Sequence, residues 1–147
     1  MIPEEFSRSA LLLGEDAMDK LFHSRVAVFG IGGVGSYVAE ALARSGVGQL
    51  VLVDQDTVSL SNINRQLIAT HDTLGMPKVE VMAQRIHAIN PQAVVETHPV
   101  FYLPGQQQSF VDGCDYIVDA IDTIAGKLAL VEEAYQKGIP IISSMGA

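Results

Sequence analysis

The sequence predicts an α/β protein, a doubly wound and mostly parallel sheet preceded by a short N-terminal helical arm. Three observations lead there. Apolar runs of strand length alternate with segments of helical periodicity along the chain. The first apolar run breaks into Gly30-Ile-Gly32-Gly33-Val-Gly35 before a helix. Asp54 ends the next apolar run, about 20 residues beyond the last glycine, where an acidic residue meets a ribose hydroxyl in a Rossmann-like nucleotide fold.

The arm comes first. Residues 3–13 read as a short helix closed by Gly14, with Pro3, Glu4 and Glu5 favouring its start. Residues 15–23 form a second, with Ala17, Met18, Leu21 and Phe22 on one face. The chain thus divides into an arm, 1–24, and a nucleotide-binding domain, 25–147.

In that domain residues 26–29 are a buried strand and 36–45 a helix ending at Gly46-Val-Gly48. Strand, turn and helix together make a phosphate cradle. Gly30 permits a sharp turn, Gly32 lets backbone approach a phosphate, and Gly35 lets helix and strand pack closely. The helix start offers free N–H groups to an anion.

Residues 49–53 are the second strand. The polar stretch 54–66 reads as a long loop with one helical turn, and such loops carry function more often than filler. A helix with Pro77 in its first turn runs to Asn90, burying Val79, Met82, Ala83, Ile86 and Ile89. Residues 93–98 form a third strand, which Pro99 places at a sheet edge. A short helix over 106–112 follows, then a fourth strand, 116–121, ending on Asp122. A helix over 125–137 closes at Gly138, and a fifth strand starts at 140. Residues 143–147 follow an apolar strand with no helix after it, so the expectation is the front part of a longer protein.

Composition sets limits. Nearly half of the 147 residues, 48%, are hydrophobic, enough for a real core. No apolar run is long enough to span a membrane, and the acidic start has no secretory core. The single Cys114 fits a reducing cytoplasm and reads as core filler, having no cationic neighbour in sequence. The four histidines lack metal spacing, and there is no Cys-x-x-Cys pair. A net charge of −8 opposes nucleic-acid binding through this surface alone, so any nucleic-acid partner has to be argued against this balance.

The glycine turn with Asp54 suits NAD as well as any nucleotide. The extra Gly33 and two downstream cations, Arg65 and Lys78, point to a triphosphate, which carries more charge. Each residue also has a plainer reading. Asp54 can be a loop residue at a strand end, Arg65 a solvated charge and Asp122 a helix cap. Lys78 can face solvent, although a cation at a helix N-terminus is unfavourable unless an anion sits before it. Asp119 is expected to bond locally.

The series Gly30-Ile-Gly32-Gly33-Val-Gly35, Asp54-x-Asp56, Ser61-Asn62-x-x-Arg65-Gln66, Gly75-x-x-Lys78 and Asp119-Ala-Ile-Asp122 resembles the adenylating domain of the ubiquitin-activating-enzyme-like superfamily, the ThiF, MoeB and HesA relatives. The resemblance implies that a substrate carboxylate attacks the α-phosphate of Mg-ATP, releasing pyrophosphate and leaving an acyl-adenylate. It assigns the ribose to Asp54, with Asp56 beside it. The phosphates fall to Asn62, Arg65 and Lys78, with Gln66 adjacent. Magnesium and the reacting carboxylate fall to Asp122. It also implies a homodimer in which Arg8, within Phe6-Ser-Arg8, reaches into the partner's site. Phe6-Ser-Arg8, Asn62-Ile-Asn64-Arg65-Gln66 and residues 43–48 look most like the branch of tRNA threonylcarbamoyladenosine dehydratases. Members that activate ubiquitin-like sulfur-carrier proteins are the alternative, and a non-catalytic nucleotide-binding fragment is a third.

Overall fold

The computed structural model describes residues 1–105 and 109–144. Five strands, β1 (Arg25–Phe29), β2 (Gln49–Val53), β3 (Val94–His98), β4 (Tyr116–Asp119) and β5 (Ile141–Ser143), form one sheet in the order β3-β2-β1-β4-β5. Every pairing is parallel, which sharpens the expected mostly parallel sheet. The helices are α1 (Ser7–Leu13), α2 (Glu15–Phe22), α3 (Gly35–Arg44), α4 (Lys78–Ile89) and α5 (Ile124–Lys137).

The central strands look uniformly apolar because both of their faces are covered. Val26, Val28, Leu50 and Leu52 pack with Ala39, Ala43, Val79, Met82 and Ile86 of α3 and α4. Their alternates Ala27, Phe29, Val51 and Val53 pack with Ile117, Leu130 and Ala134 on the opposite face. The chain moves outward from β1 through β2 to β3, then crosses back to β4 beside β1. That reversal opens a crevice at the C-terminal ends of β1 and β4, where such sheets bind ligands.

The arm lies at the other end of the sheet. Phe6 packs on Phe22, with ring centroids 5.4 Å apart. Phe6 and Phe22 border a cavity with Gly48, Gln49 and Val94, the residues at the start of β2 and β3. A Cβ on Gly48 would lie 1.9 Å from the Phe22 carbonyl oxygen, so glycine alone permits this seat for the arm.

Several boundaries differ from expectation. Pro77 is not helical (φ −58°, ψ 131°), and α4 starts at Lys78. Ile89 is half-buried, while Val81 joins the buried face. β4 ends at Asp119 and not at Ile121, because its partner β5 pairs only to Ser143 and the chain then turns across the cradle. Of the helix expected over 106–112, residues 106–108 lie outside the described residues. Residues 109–112 are irregular, with Ser109 Oγ bonded to Asp112.

Candidate functional site

The glycines of the cradle divide into two kinds. A Cβ on Gly35 would stand 1.6 Å from the Gly30 carbonyl oxygen, and one on Gly30 (φ +93°) would stand 2.4 Å from that of Ala120. Protein packing therefore demands these two. A Cβ on Gly32 or Gly33 would meet its nearest neighbour, Gln66 Nε2 or Arg65 Cγ, at an ordinary 3.6 Å. Packing does not demand glycine there, so the backbone at these two positions is left open to close approach.

Those neighbours come from the long loop after β2, which doubles back as an isolated bridge pairs Thr57 with Pro77. Lys78 N donates to the Asp56 carbonyl at 3.0 Å, and Lys78 Nζ lies 3.7 Å from Asp56 Oδ2. Lys78 is only 5% exposed, which removes the solvent-facing reading. The turn over Leu60–Asn62 is held by Ser59 N donating to Asn62 Oδ1 at 2.9 Å. Arg65 folds over Gly33 with its guanidinium donating to Ser61 O and Asn64 Oδ1. Gln66 is 7% exposed, and its buried Oε1 has no hydrogen-bond partner among the described residues, an unsatisfied state that costs about 1–3 kcal/mol.

Asp54 fastens this loop to the cradle. Its Oδ2 accepts from Ile31 N at 2.7 Å and its Oδ1 from Asp56 N at 2.8 Å. A carboxylate offers about four lone-pair sites, so these bonds leave capacity for hydroxyls. Ser36, which sequence reasoning missed, makes the second fastening. Its fully buried hydroxyl donates to Gly32 O at 2.5 Å and accepts from Leu67 N at 3.3 Å. A small polar residue directly after the glycine run was the available signal.

Asp122 sits three positions past β4, exposed, on the loop whose Ala120 carbonyl abuts Gly30. Arg8 is not part of this assembly. It is exposed on α1, at the end of the sheet where β2 and β3 begin. Five-residue strands span roughly 16 Å, so the arm and the cradle stand a strand length apart. Asp119 makes the expected local bond, from Ile121 N at 3.0 Å, and also an ion pair with Lys127 that the sequence did not signal.

Cys114 is buried, as expected of core filler, and burial pushes its thiol above the usual range. It has no cationic neighbour in sequence, but the fold brings Arg25 close enough to oppose that shift in part. Among the described residues, no group of three or more His, Cys, Asp or Glu is placed to hold a metal, and no helix is long and apolar enough to cross a membrane.

This arrangement has counterparts among known proteins. The chain is 50% identical over 144 residues to the tRNA threonylcarbamoyladenosine dehydratase of Bacillus subtilis, covering 97% of the chain and 57% of that protein. It superposes on the crystal structure of the E. coli tRNA N6-threonylcarbamoyladenosine dehydratase in complex with ATP, with a TM-score of 0.95 and 41% identity, covering 98% of this chain and 60% of that one. It is also 34% identical to the SAMP-activating enzyme E1 of Haloferax volcanii, covering 95% of the chain and 52% of that protein. The chain thus spans a little over half the length of these relatives. The ThiF family matches residues 6–147, and with that extent of match the chain belongs to the ThiF family.

Proposed function

We propose that this chain is the adenylating domain of an ATP-dependent enzyme that activates the carboxylate of threonylcarbamoyladenosine in tRNA, so that the base cyclises with loss of water. The observation that carries the reading is the pairing of Gly32 and Gly33, which packing does not require, with Gln66 and Arg65 lying over them. The unsatisfied Gln66 Oε1 fits a ligand that brings a donor, such as an adenine amino group or a nucleotide-bound water. The proteins of this name in the comparisons support the substrate, one of them solved with ATP.

In this reading Asp54, with Asp56 beside it, meets the ribose. Gly32 and Gly33 lie against the nucleotide, Gly30 and Gly35 shape the cradle beneath it, and Asn62, Arg65 and Lys78 hold the phosphates with Gln66 beside them. Displacement at phosphorus needs positive charge, and the two cations supply it from fixed positions. Asp122 would hold Mg²⁺ and the reacting carboxylate. A single exposed carboxylate suits a magnesium ion carried on phosphates better than a protein cage of ligands. The cation would supply charge neutralisation at the phosphates. Arg8 would serve the partner's site in a homodimer, because its own cradle is at the far end of the sheet. We place the protein in the cytoplasm.

Incubating the protein with ATP and tRNA bearing threonylcarbamoyladenosine should yield the cyclised base, whereas unchanged tRNA would reject this substrate. A second reading, adenylation of a ubiquitin-like sulfur-carrier protein, has the Haloferax relative in its favour. Pyrophosphate exchange stimulated only by such a carrier would select it. Wild-type turnover persisting in the Arg65→Ala, Lys78→Ala double variant would contradict both, whereas nucleotide binding with no turnover on either substrate would leave a nucleotide-binding fragment.

A further inference from the structure

Beside the cradle lies a buried ion pair that none of these roles uses. Asp119 is 0% exposed and Lys127 8%, with Lys127 Nζ 3.2 Å from Asp119 Oδ2. The ammonium also donates to the Ser144 carbonyl at 2.6 Å, while Asp119 Oδ1 accepts from Ile121 N at 3.0 Å. Backbone bonds complete the frame: Ser144 N donates to Asp119 O, and Ala120 N to Phe29 O, each at 2.8 Å. On the far side of the turn, Thr123 Oγ1 accepts from Gly126 N at 3.3 Å.

We propose that the Asp119–Lys127 pair is a positioning device for the reaction end of the site, fixing the 120–123 turn so that Asp122 and the Ala120 wall stand in register with the cradle. The inference rests on the function proposed above for its activity readout, and on geometry alone for its structural one. Desolvation largely offsets the attraction of a buried pair, so stability is a poor account of it. What the pair supplies is direction. Two side chains tie the ends of β4 and β5 to the backbone of the turn, and every residue of 119–123 except Asp122 packs or bonds within that frame. Lys127 is itself buried and doubly engaged, so it acts through Asp119 and not on a substrate.

The apolar replacement Asp119→Leu with Lys127→Met tests this, because removing both charges together leaves neither one stranded. The expected result is a folded protein whose ATP affinity and KM for ATP stay near wild type while kcat falls about 10–100-fold, the scale of a misplaced reacting group. Added to Asp122→Ala, the pair replacement should cost little more than Asp122→Ala alone, since the two changes act on one element. Asp119→Glu keeps both charges but moves the carboxylate outward, and should lower kcat in the same way. A folded variant of either kind with wild-type kcat overturns the inference, as does full additivity with Asp122→Ala.

Amide hydrogen exchange on the wild type needs no variant and no turnover. The Ile121 and Ser144 amides should exchange as slowly as β4, and exchange at exposed-loop rates overturns the inference. Wild type that fails to convert the modified tRNA rejects the proposed function, while the exchange result still decides the clamp.

Discussion

At the residue scale, the chemistry of the site depends on small groups more than on the charges that first draw attention. Removing the Ser36 hydroxyl strands the Leu67 N–H and leaves the Gly32 carbonyl only its bond from Ser36 N at 3.2 Å, so the cradle and the Arg65–Gln66 segment lose a common anchor. A buried group left unpaired costs about 1–3 kcal/mol. We expect Ser36→Ala to lower Tm by several degrees and to weaken ATP binding about 10-fold, as read by calorimetry; unchanged affinity would mean that the two segments need no link. Arg65→Ala and Lys78→Ala should each weaken ATP binding by about 10–100-fold, the range of a charge-assisted hydrogen bond. Gly35→Ala, with a carbonyl 1.6 Å from the new methyl, should yield little folded protein, whereas Gly32→Ala should fold and lose ATP affinity. That contrast, read by circular dichroism and nucleotide titration, separates a packing glycine from a ligand glycine.

At the element scale, α3 and α4 carry the cradle and Lys78, and side chains on their outer faces join them. Arg85 pairs with Glu40, and Arg44 reaches the same carboxylate at 3.6 Å. The hydrogen bond from Arg85 holds the Glu40 carboxyl below the usual carboxylate range, against a smaller opposing effect of burial. A depressed folded-state pKa contributes stability that is present above the unfolded value and lost as pH falls through the folded one. Melting curves of wild type and Glu40→Gln should therefore differ near neutral pH and converge as pH drops below about 4. The difference should be about 0.5–1 kcal/mol, because Arg85 is partly exposed. A gap that persists in acid would assign the effect to packing.

At the scale of the whole molecule, the distribution of charge bears on any tRNA partner. Of the nine Lys and Arg, six are held in ion pairs: Arg25, Arg44, Lys78, Arg85, Lys127 and Lys137. Few cations remain on this domain to meet a phosphate backbone, so the acidic balance noted in the sequence is reinforced by the fold. The separation of Arg8 from its own cradle gives a test of the dimer. Mixing an Arg8→Ala copy with an Asp122→Ala copy, each strongly impaired alone, should restore about a quarter of the sites if copies assort at random and arginine acts in trans. No recovery after demonstrated mixing would mean that Arg8 does not act across the dimer.

The sequence by itself determined the architecture. Apolar runs, glycine punctuation and helix caps are local signals, and the strand, turn and helix at 25–44 follow from them residue by residue. It also named the residues of the loop after β2. What it could not state was their use of one another. That Gln66 lies buried over Gly32, that Lys78 is hidden beside Asp56, that Arg25 approaches Cys114, and that Asp119 pairs with Lys127 are contacts between segments far apart in the chain. No period or spacing encodes them, because they arise only when the parallel crossovers bring strand ends to one edge of the sheet. The sequence marked the cradle; tertiary structure decided which of its groups are packed into the frame and which are left open beside it.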